Sequence, residues 1–343
     1  MTAPPKTSKE YPRQSTGSAD LQQALHFAIH AAVQAPSSHN SQPWLFRVHE
    51  RSVDLLADRA RGLPVTDPMD RELTISCGAA LFHLYVAIRY AGFDACVQTL
   101  PEPGNVDLLA RVEVGSRQNP SPDELLLFQA IPRRRTNRTA YEDRPLAPAL
   151  LRFIEEEAVA EGSWLQVFES DSARDRLGDL IAAADRKQLS DVRFRREMAS
   201  WLHPNRSRSR DGMPGYSMGW NELRSRTTPL LIRSFDIGRG RAASDRDLAR
   251  FSPALAVLGT DEDTPGAWLA AGRALARTLL RAAASGLSAS YLNQPIEVEE
   301  MRPAIKDLTG RDGYPQILLR LGYGGVALST PRRDPESLIL LPE

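Results

Sequence analysis

The segment QAPSSHNSQPWLFRV, residues 34–48, gathers many hydrogen-bonding side chains between two prolines and one large aromatic residue. Pro36 ends the preceding helical pattern, so the backbone N–H groups of Ser37 and Ser38 are not required by a continuing helix. The Asn40 amide adds a donor and an acceptor in the same turn, and Trp44 is suited to anchor the turn in a core. The segment predicts a surface for a phosphate, a polyol chain or a heterocycle edge. The alternative is a helix-to-strand connection whose own side chains satisfy it.

The composition is that of an ordinary globular protein. Of 343 residues, 42% are apolar and 25% are charged, enough for a sizeable core in one to three domains. Lys+Arg and Asp+Glu number 43 each, so no overall field favours nucleic acid or an anionic membrane. No apolar run approaches the ~20 residues that span a bilayer. We therefore expect a small-molecule substrate and neither a nucleic-acid nor a membrane partner.

The N-terminus and the two cysteines bear on the compartment. Residues 1–18 lack the apolar centre of a secretory signal and are predicted to be a disordered tail. Cys77 and Cys96 fall in no metal or redox spacing, and both are expected to be packing residues. These features favour a reducing cytoplasm.

Apolar periodicity predicts alternating helices and short strands. Helices are predicted at about 21–34, 72–91, 148–160, 175–200 and 268–285, with a further one beginning at Pro122. Strands are predicted in LFRVHERSVDLLA, which turns at residues 50–52, and in DLLARVEV, WLQVFES, ALAVLGT and PQILLRLGYG. The stretch GSRQNPSP, residues 115–122, is predicted to link two halves.

An internal repeat relates these halves. Gly78 and Gly92 bracket one apolar helix, and Gly272 and Gly286 bracket another at the same separation of fourteen residues. A strand, a helix and a final strand recur in the same order, which favours duplication. The alternative is that any Ala/Leu-rich helix with glycines near its ends would align as well.

Four motifs resemble those of the nitroreductase superfamily. APSSHNSQPW is similar to that family's segment between a helix and the central sheet. RRTNR resembles its Arg-x-Ser/Thr-x-Arg pattern, which serves the phosphate and ribityl chain of FMN. A Gly-Leu-Ser turn after the central helix and a last strand followed by TPRRDP also match. The resemblance implies cofactor-binding roles for Pro36, Ser37, Ser38, Asn40, Arg134, Thr136, Arg138, Gly286, Leu287, Ser288, Arg332 and Arg333.

The order of the motifs departs from that of an ordinary family member. The serine turn, PSSHNSQ at residues 36–42, lies in the first half with no arginine motif before it. The second half has the arginine motif, RRTNR at residues 134–138, but no serine turn. In the family's dimer one subunit provides the arginines and the partner provides the serines. Complementary losses in a fused pair resemble the Acg-like branch, whose members are single-chain pseudo-dimers with one FMN.

Charge agrees with this assignment. An FMN phosphate carries nearly two negative charges, and guanidinium groups bind it bidentately. Arg134 and Arg138 would share one face if their turn is helical, with Arg135 pointing elsewhere. The alternative for RRRTNR is a solvated basic run, and the alternative for Arg332 and Arg333 is an ordinary charged tail.

Two further features concern access to the flavin. Gln188 or Lys187 stands where many family members have an asparagine facing the flavin pyrimidine, and the sequence does not choose between them. Residues 201–228 show neither a helical nor a strand period, and a stretch of this length is often functional. Their Met213, Tyr216, Met218 and Trp220 would cover an aromatic ring, so the segment is predicted to be a lid over the flavin. The alternative is a mobile surface connection.

Other chemistries lack their motifs. No Gly-x-Gly-x-x-Gly follows a strand, and no Gly-x-Ser-x-Gly elbow occurs. His26 and His30 lack the glutamate of a zinc-protease helix, and His39 has no chemical demand at its position. None of the six histidines is a convincing general base, and no metal site is expected.

The sequence therefore predicts an α+β, nitroreductase-like fold. Two interlocked halves, residues 19–118 and 119–343, would each have a mainly antiparallel sheet flanked by helices, forming a pseudo-dimer in one chain. The resemblance implies one FMN per chain, NAD(P)H as a transient donor, and two-electron transfer through flavin N5 to a nitro compound or quinone. The alternatives are an FMN-sequestering protein with little turnover and a biosynthetic flavin oxidase or dehydrogenase. A monomer is expected, with a homodimer as the alternative.

Overall fold

The computed structural model describes residues 18–341. Residues 1–17 of the predicted tail lie outside the described residues, and Ser18 opens the first helix. The helices are α1 Ser18–Ala32, α2 Arg71–Tyr90, α3 Pro122–Ala130, α4 Pro148–Val159, α5 Asp171–Ser190, α6 Val192–Ser200, α7 Glu222–Ser234, α8 Gly238–Arg250, α9 Pro265–Ala284, α10 Gln294–Glu297 and α11 Arg302–Thr309. The strands are β1 Trp44–Val48, β2 Ser52–Ala57, β3 Phe93–Thr99, β4 Leu108–Arg117, β5 Trp164–Phe168, β6 Leu202–His203, β7 Met213–Pro214, β8 Ala254–Thr260, β9 Ser288–Tyr291, β10 Tyr314–Gly322 and β11 Ile339–Leu340.

Each half of the chain builds a mainly antiparallel sheet. The first has the order β11-β1-β2-β4-β3, in which only β11 runs parallel to its neighbour. The second has the order β5-β8-β10-β9 and is antiparallel throughout. The α+β class and the two-sheet arrangement predicted from the sequence are confirmed.

Helices α2 and α9 pack against each other along the centre of the molecule, and their closest approach is made by two glycines. A Cβ on Gly272 would stand 2.0 Å from the Ile75 carbonyl oxygen, and one on Gly78 would stand 2.3 Å from the Leu269 carbonyl oxygen. Gly92 and Gly286, which follow the two helices, both have positive φ, at 85° and 77°. The glycines of the proposed repeat thus have matching structural roles.

The halves interlock through the C-terminal segment and the core. Strand β11, near the end of the chain, pairs with β1 of the first sheet through Phe46 opposite Ile339. The hydrophobic core beneath that sheet includes Leu269 and Leu280 from α9. Removing either half would therefore expose apolar surface of the other.

One predicted helix and one cysteine differ from the prediction. The helix predicted at 175–200 is two helices, because Asp191 adopts an extended conformation and its side chain caps α6 by accepting from Arg193 N at 2.8 Å. Cys77 is a packing residue, fully buried in α2, but Cys96 is exposed on the edge strand β3. Helix α2 is long and apolar enough to cross a membrane, yet 89% of its apolar window is buried inside the protein, as in a core helix.

Candidate functional site

A cavity of about 190 Å³ lies between the two halves. Both predicted clusters line it. It is bounded by the serine turn, the arginine motif, the start of α2, the end of α5, α6, β7, α10 and the C-terminal segment. The predicted residues in its lining are Pro36, Ser37, Ser38, Asn40, Arg134, Thr136, Arg138 and Arg332.

The serine turn has an uncommon backbone. His39, Asn40 and Gln42 all have positive φ, between 52° and 55°, although none is glycine. Such conformations persist where surrounding contacts hold them. Here Gln42 N donates to Ser37 Oγ at 2.9 Å, and Ser38 Oγ donates to Glu72 Oε2 at 2.5 Å. The turn is held as a fixed wall of the cavity.

Asn40 joins three distant parts of the chain. Its Nδ2 donates to the carbonyl oxygens of Gly212 at 2.9 Å and Pro331 at 3.1 Å, and its Oδ1 accepts from Arg332 at 2.9 Å. Its buried amide thus has a structural role in addition to lining the cavity. Arg332 in turn donates to the carbonyl oxygens of Gln34 and Ala35.

The arginine motif is not helical, so the condition under which Arg134 and Arg138 would share a helical face is not met. Thr136 forms an isolated parallel bridge with Ala289, and Asn137 N donates to the Ala289 carbonyl at 2.9 Å. An extended backbone still directs alternate residues to one side. Arg135, expected to point elsewhere, also lines the cavity.

Three guanidinium groups concentrate positive charge at one end of the cavity. Arg134 and Arg332 both donate to the Gln34 carbonyl oxygen, and Arg135 lies close enough to act on Arg332 electrostatically. Burial, followed by Arg134 and Arg135, lowers the pKa of Arg332 to about 9. Within residues 18–341 none of the three forms an ion pair with a carboxylate, and Arg134 Nε and Arg332 Nε are buried without a partner. This end of the cavity is built to receive an anion.

Arg138 occupies a different part of the cavity. Its Nη2 lies 3.7 Å from Met213 Sδ, and burial followed by the charge of Arg241 lowers its pKa to about 10. The positive charge of Arg138 also acts on His39. The burial of His39 itself is the larger cause, and together with Arg138 it lowers the pKa of His39 to about 4. Arg138 is therefore a second cation rather than a member of the three-arginine group.

Four predicted residues do not line the cavity. Gly286 and Leu287 form the turn after α9, where Leu287 enters the second core. Ser288 begins β9, and its Oγ accepts from Asn137 at 3.3 Å, so this turn supports the arginine motif from behind. Arg333 points away and pairs with Asp58 at 3.1 Å. Of the two pyrimidine-edge candidates, Gln188 lines the cavity, while Lys187 is exposed and pairs with Glu300.

The predicted lid segment, residues 201–228, is not structureless. It contains β6, β7, a 3-10 turn at Gly215–Met218 and the start of α7. Met213 and Met218 line the cavity, whereas the Tyr216 hydroxyl donates to the Ser329 carbonyl at 3.0 Å. Trp220 does not line the cavity itself but packs against the hydrophobic cluster that includes Met213. The segment is tied to the serine turn: Gln42 Nε2 donates to the Arg210 carbonyl at 2.9 Å.

Sequence reasoning missed several lining residues. The hydroxyl of Tyr291 is buried in the cavity wall without a partner in the described part of the chain. Burial raises its pKa to about 12, so it is a neutral donor. Three acids, Glu72, Asp185 and Glu297, line other parts of the wall. No local pattern marks any of these four, because their exposure to the cavity depends on how the halves pack.

Comparison with known proteins gives the family. The chain is 35% identical over 318 residues to Rv3131 of Mycobacterium tuberculosis (strain ATCC 25618 / H37Rv), whose name proposes NAD(P)H nitroreductase activity; the match covers 91% of this chain and 90% of that protein. Two further proteins of that strain match along their length. Rv3127, named only as uncharacterized, is 30% identical over 92% of each chain, and acg, named like Rv3131, is 28% identical over 90% of this chain and 91% of its own.

No family model matches the chain. Among solved structures, the FMN-dependent nitroreductase NfnB from Mycobacterium smegmatis in complex with NADPH is 16% identical, with a TM-score of 0.42 over 63% of this chain and 100% of that one.

On the identity and coverage of the full-length relatives, the chain belongs to the nitroreductase superfamily, in the Acg-like branch.

Proposed function

We propose that the protein binds one FMN in the cavity between its halves and uses it to pass electron pairs from NAD(P)H to an electron-poor aromatic such as a nitro compound or quinone. The observation that carries the proposal is the group of Arg134, Arg135 and Arg332. Arg134 is buried, the other two are partly buried, and none has a carboxylate partner in the described residues. A phosphate with nearly two negative charges would neutralise this group, and the unpartnered Nε atoms would gain acceptors.

The rest of the wall suits the remainder of an FMN molecule. The hydroxyls of Ser37 and Ser38, the Thr136 side chain and the Tyr291 hydroxyl are polar groups of the kind that a ribityl chain engages. An apolar side made by Leu189, Phe194, Met198, Met213 and Met218 offers an adaptable surface for a flat ring. Bound FMN would supply the redox chemistry, while these residues would hold it and limit the entry of water.

The first experiment asks whether purified protein carries flavin and whether NAD(P)H reduces it. We expect a yellow protein with one FMN per chain, bleached by NAD(P)H without air and recoloured by a quinone. A colourless protein that takes up no added FMN would refute the cofactor assignment.

Storage of FMN with little turnover is a second candidate, because one observation favours it. The segment that contributes Met213 and Met218 is fastened to the serine turn through Arg210 and Gly212, and Asp211 pairs with Arg61. A firmly held cover would slow the exchange of both flavin and substrates. Bleaching by dithionite but not by NADH or NADPH would support storage and exclude the reductase.

Tyr291 provides a specific test of the binding site. Tyr291→Phe removes the unpartnered hydroxyl and keeps the aromatic ring, so we expect the Kd for FMN to rise about three- to tenfold, the effect of about one neutral hydrogen bond. Tyr314→Phe is the matched control, because Tyr314 is exposed and lies outside the lining. Equal Kd values for Tyr291→Phe and the parent protein, measured by flavin fluorescence, would remove Tyr291 from the site.

A further inference from the structure

Four ionisable groups meet where the start of α2 faces the end of α10. Glu72 and Arg71 lie in the first turn of α2, Asp67 precedes that helix, and Glu297 is the last residue of α10. Glu72 and Glu297 both line the cavity, and the charge of Glu72 acts on the carboxyl group of Glu297. Three carboxyl groups and one guanidinium cannot all be ionised here without leaving excess negative charge in a largely buried place.

Hydrogen bonds distinguish the two glutamates. Glu72 Oε2 accepts from Ser38 Oγ at 2.5 Å, and its Oε1 accepts from Asn293 Nδ2 at 3.1 Å and faces Arg71 Nη2 at 3.5 Å. Both carboxyl oxygens of Glu72 thus face donors. Glu297 Oε2 accepts from Gln188 Nε2 at 2.6 Å, and within residues 18–341 no cation pairs with Glu297.

The neighbouring charges favour a proton on Glu297. Burial first, and then the charge of Glu72, raises the pKa of Glu297 to about 8; Arg71 and the hydrogen bond from Gln188 oppose this and Asp67 adds to it. Asp67 is affected in the same way but less, its pKa being raised to about 6 by burial and Glu72. Near neutral pH the neutral acid of the cluster is therefore Glu297, which opens onto the cavity.

We propose that Glu297 is the proton donor to the acceptor reduced in this cavity, with Glu72 as the positioning residue that keeps the proton there. The proposal rests on the proposed function. A quinone that receives two electrons and one proton, a hydride equivalent, from a reduced flavin becomes a hydroquinone mono-anion. As this negative charge develops at the quinone oxygen, the O–H bond of Glu297 breaks and a new O–H bond forms there in the same step, so the proton assists the oxidation of the flavin. The Glu297 carboxylate is afterwards reprotonated from solvent.

The proposal gives a defined pH dependence. Oxidation of the reduced protein by a quinone should slow as the pH rises through about 8, because Glu297 loses its proton. Glu72→Gln removes the adjacent negative charge and lowers the pKa of Glu297, so the decline should begin at lower pH. Reduction by NAD(P)H transfers a hydride and needs no proton from Glu297, so that half-reaction should lack this limb.

The experiment separates the two half-reactions by stopped flow in Glu297→Gln. Glutamine keeps the size of the side chain and can accept the hydrogen bond from Gln188. We expect oxidation by the quinone to be about 100-fold slower at pH 7 in the FMN-loaded variant, and the ratio of this rate to the rate of reduction by NAD(P)H to fall by a similar factor. Glu300→Gln is the matched control, because Glu300 is exposed and pairs with Lys187 at the surface.

An infrared measurement tests the proton without turnover. Asp67 and Asp185, whose pKa values burial raises to about 6 and about 7, contribute protonated-carboxyl absorbance in both proteins. At pH 7 the carbonyl band of protonated carboxyl groups should therefore be stronger in the parent than in Glu297→Gln, and this excess should disappear by about pH 9. Failure to bind or reduce flavin in the parent protein would overturn the proposed function. Normal flavin reduction, with equal quinone oxidation rates in the parent and Glu297→Gln, or the same infrared band in both, would overturn the assignment of Glu297 alone.

Discussion

Replacing Arg134 and Arg332 together by alanine should yield a protein that purifies without flavin. Each guanidinium would give a phosphate one or two charge-assisted hydrogen bonds worth about 1.5–3 kcal/mol. Loss of both should raise the Kd for FMN by at least about a hundredfold. The Kd is measured by titrating the colourless variant with FMN. A Kd within about threefold of the parent value would show that the phosphate is bound elsewhere.

A matched control separates charge at the site from charge in general. Arg133→Ala removes an adjacent guanidinium that is exposed and donates to the Gln129 carbonyl oxygen. This variant should retain its FMN. Melting temperatures of the flavin-free proteins check folding, because Arg332 also holds the carbonyl oxygens of Gln34 and Ala35.

Gly272→Ala should destabilise the protein severely. The new methyl group would stand 2.0 Å from the Ile75 carbonyl oxygen and 2.7 Å from the Gly78 Cα, both backbone atoms that cannot move without displacing α2. Separating the two central helices loosens contacts along both, so we expect a loss of about 3 kcal/mol or more in the free energy of unfolding. Urea denaturation followed by circular dichroism measures it.

Gly266→Ala is the control on the same helix. Its methyl group would meet only Leu100 Cδ1 at 3.8 Å, an ordinary contact, and alanine is the better helix former. The free energy of unfolding should be unchanged or slightly higher. Equal stability of the two variants would contradict the close crossing of α2 and α9 at Gly272.

The sequence supports the fold and one side of the site because these depend on local pattern. Apolar periodicity located α2 and α9, and paired prolines, serines and arginines indicated where polar groups gather. It could not distinguish Arg332, which enters the cavity, from its neighbour Arg333, which pairs with Asp58, because both belong to the same basic stretch. Side-chain direction there depends on contacts made across the fold.

The errors have similar causes. Strands β6 and β7 have two residues each, too short for any period, so residues 201–228 were predicted to have no regular structure. The Gly-Leu-Ser turn was assigned to the cofactor, although it supports the arginine motif from behind the cavity. Glu72, Tyr291 and Glu297 gain their properties from burial between the halves, which no single segment reveals.

The covalent link between the halves also affects how the pocket responds to dilution. If the serine turn and the arginines belonged to separate polypeptides, lowering the protein concentration would dissociate the subunits and so disrupt the site. Here strand β11 returns to the first sheet, and both walls of the cavity belong to one chain. The pocket should therefore persist in a cell that contains only a few copies of the protein.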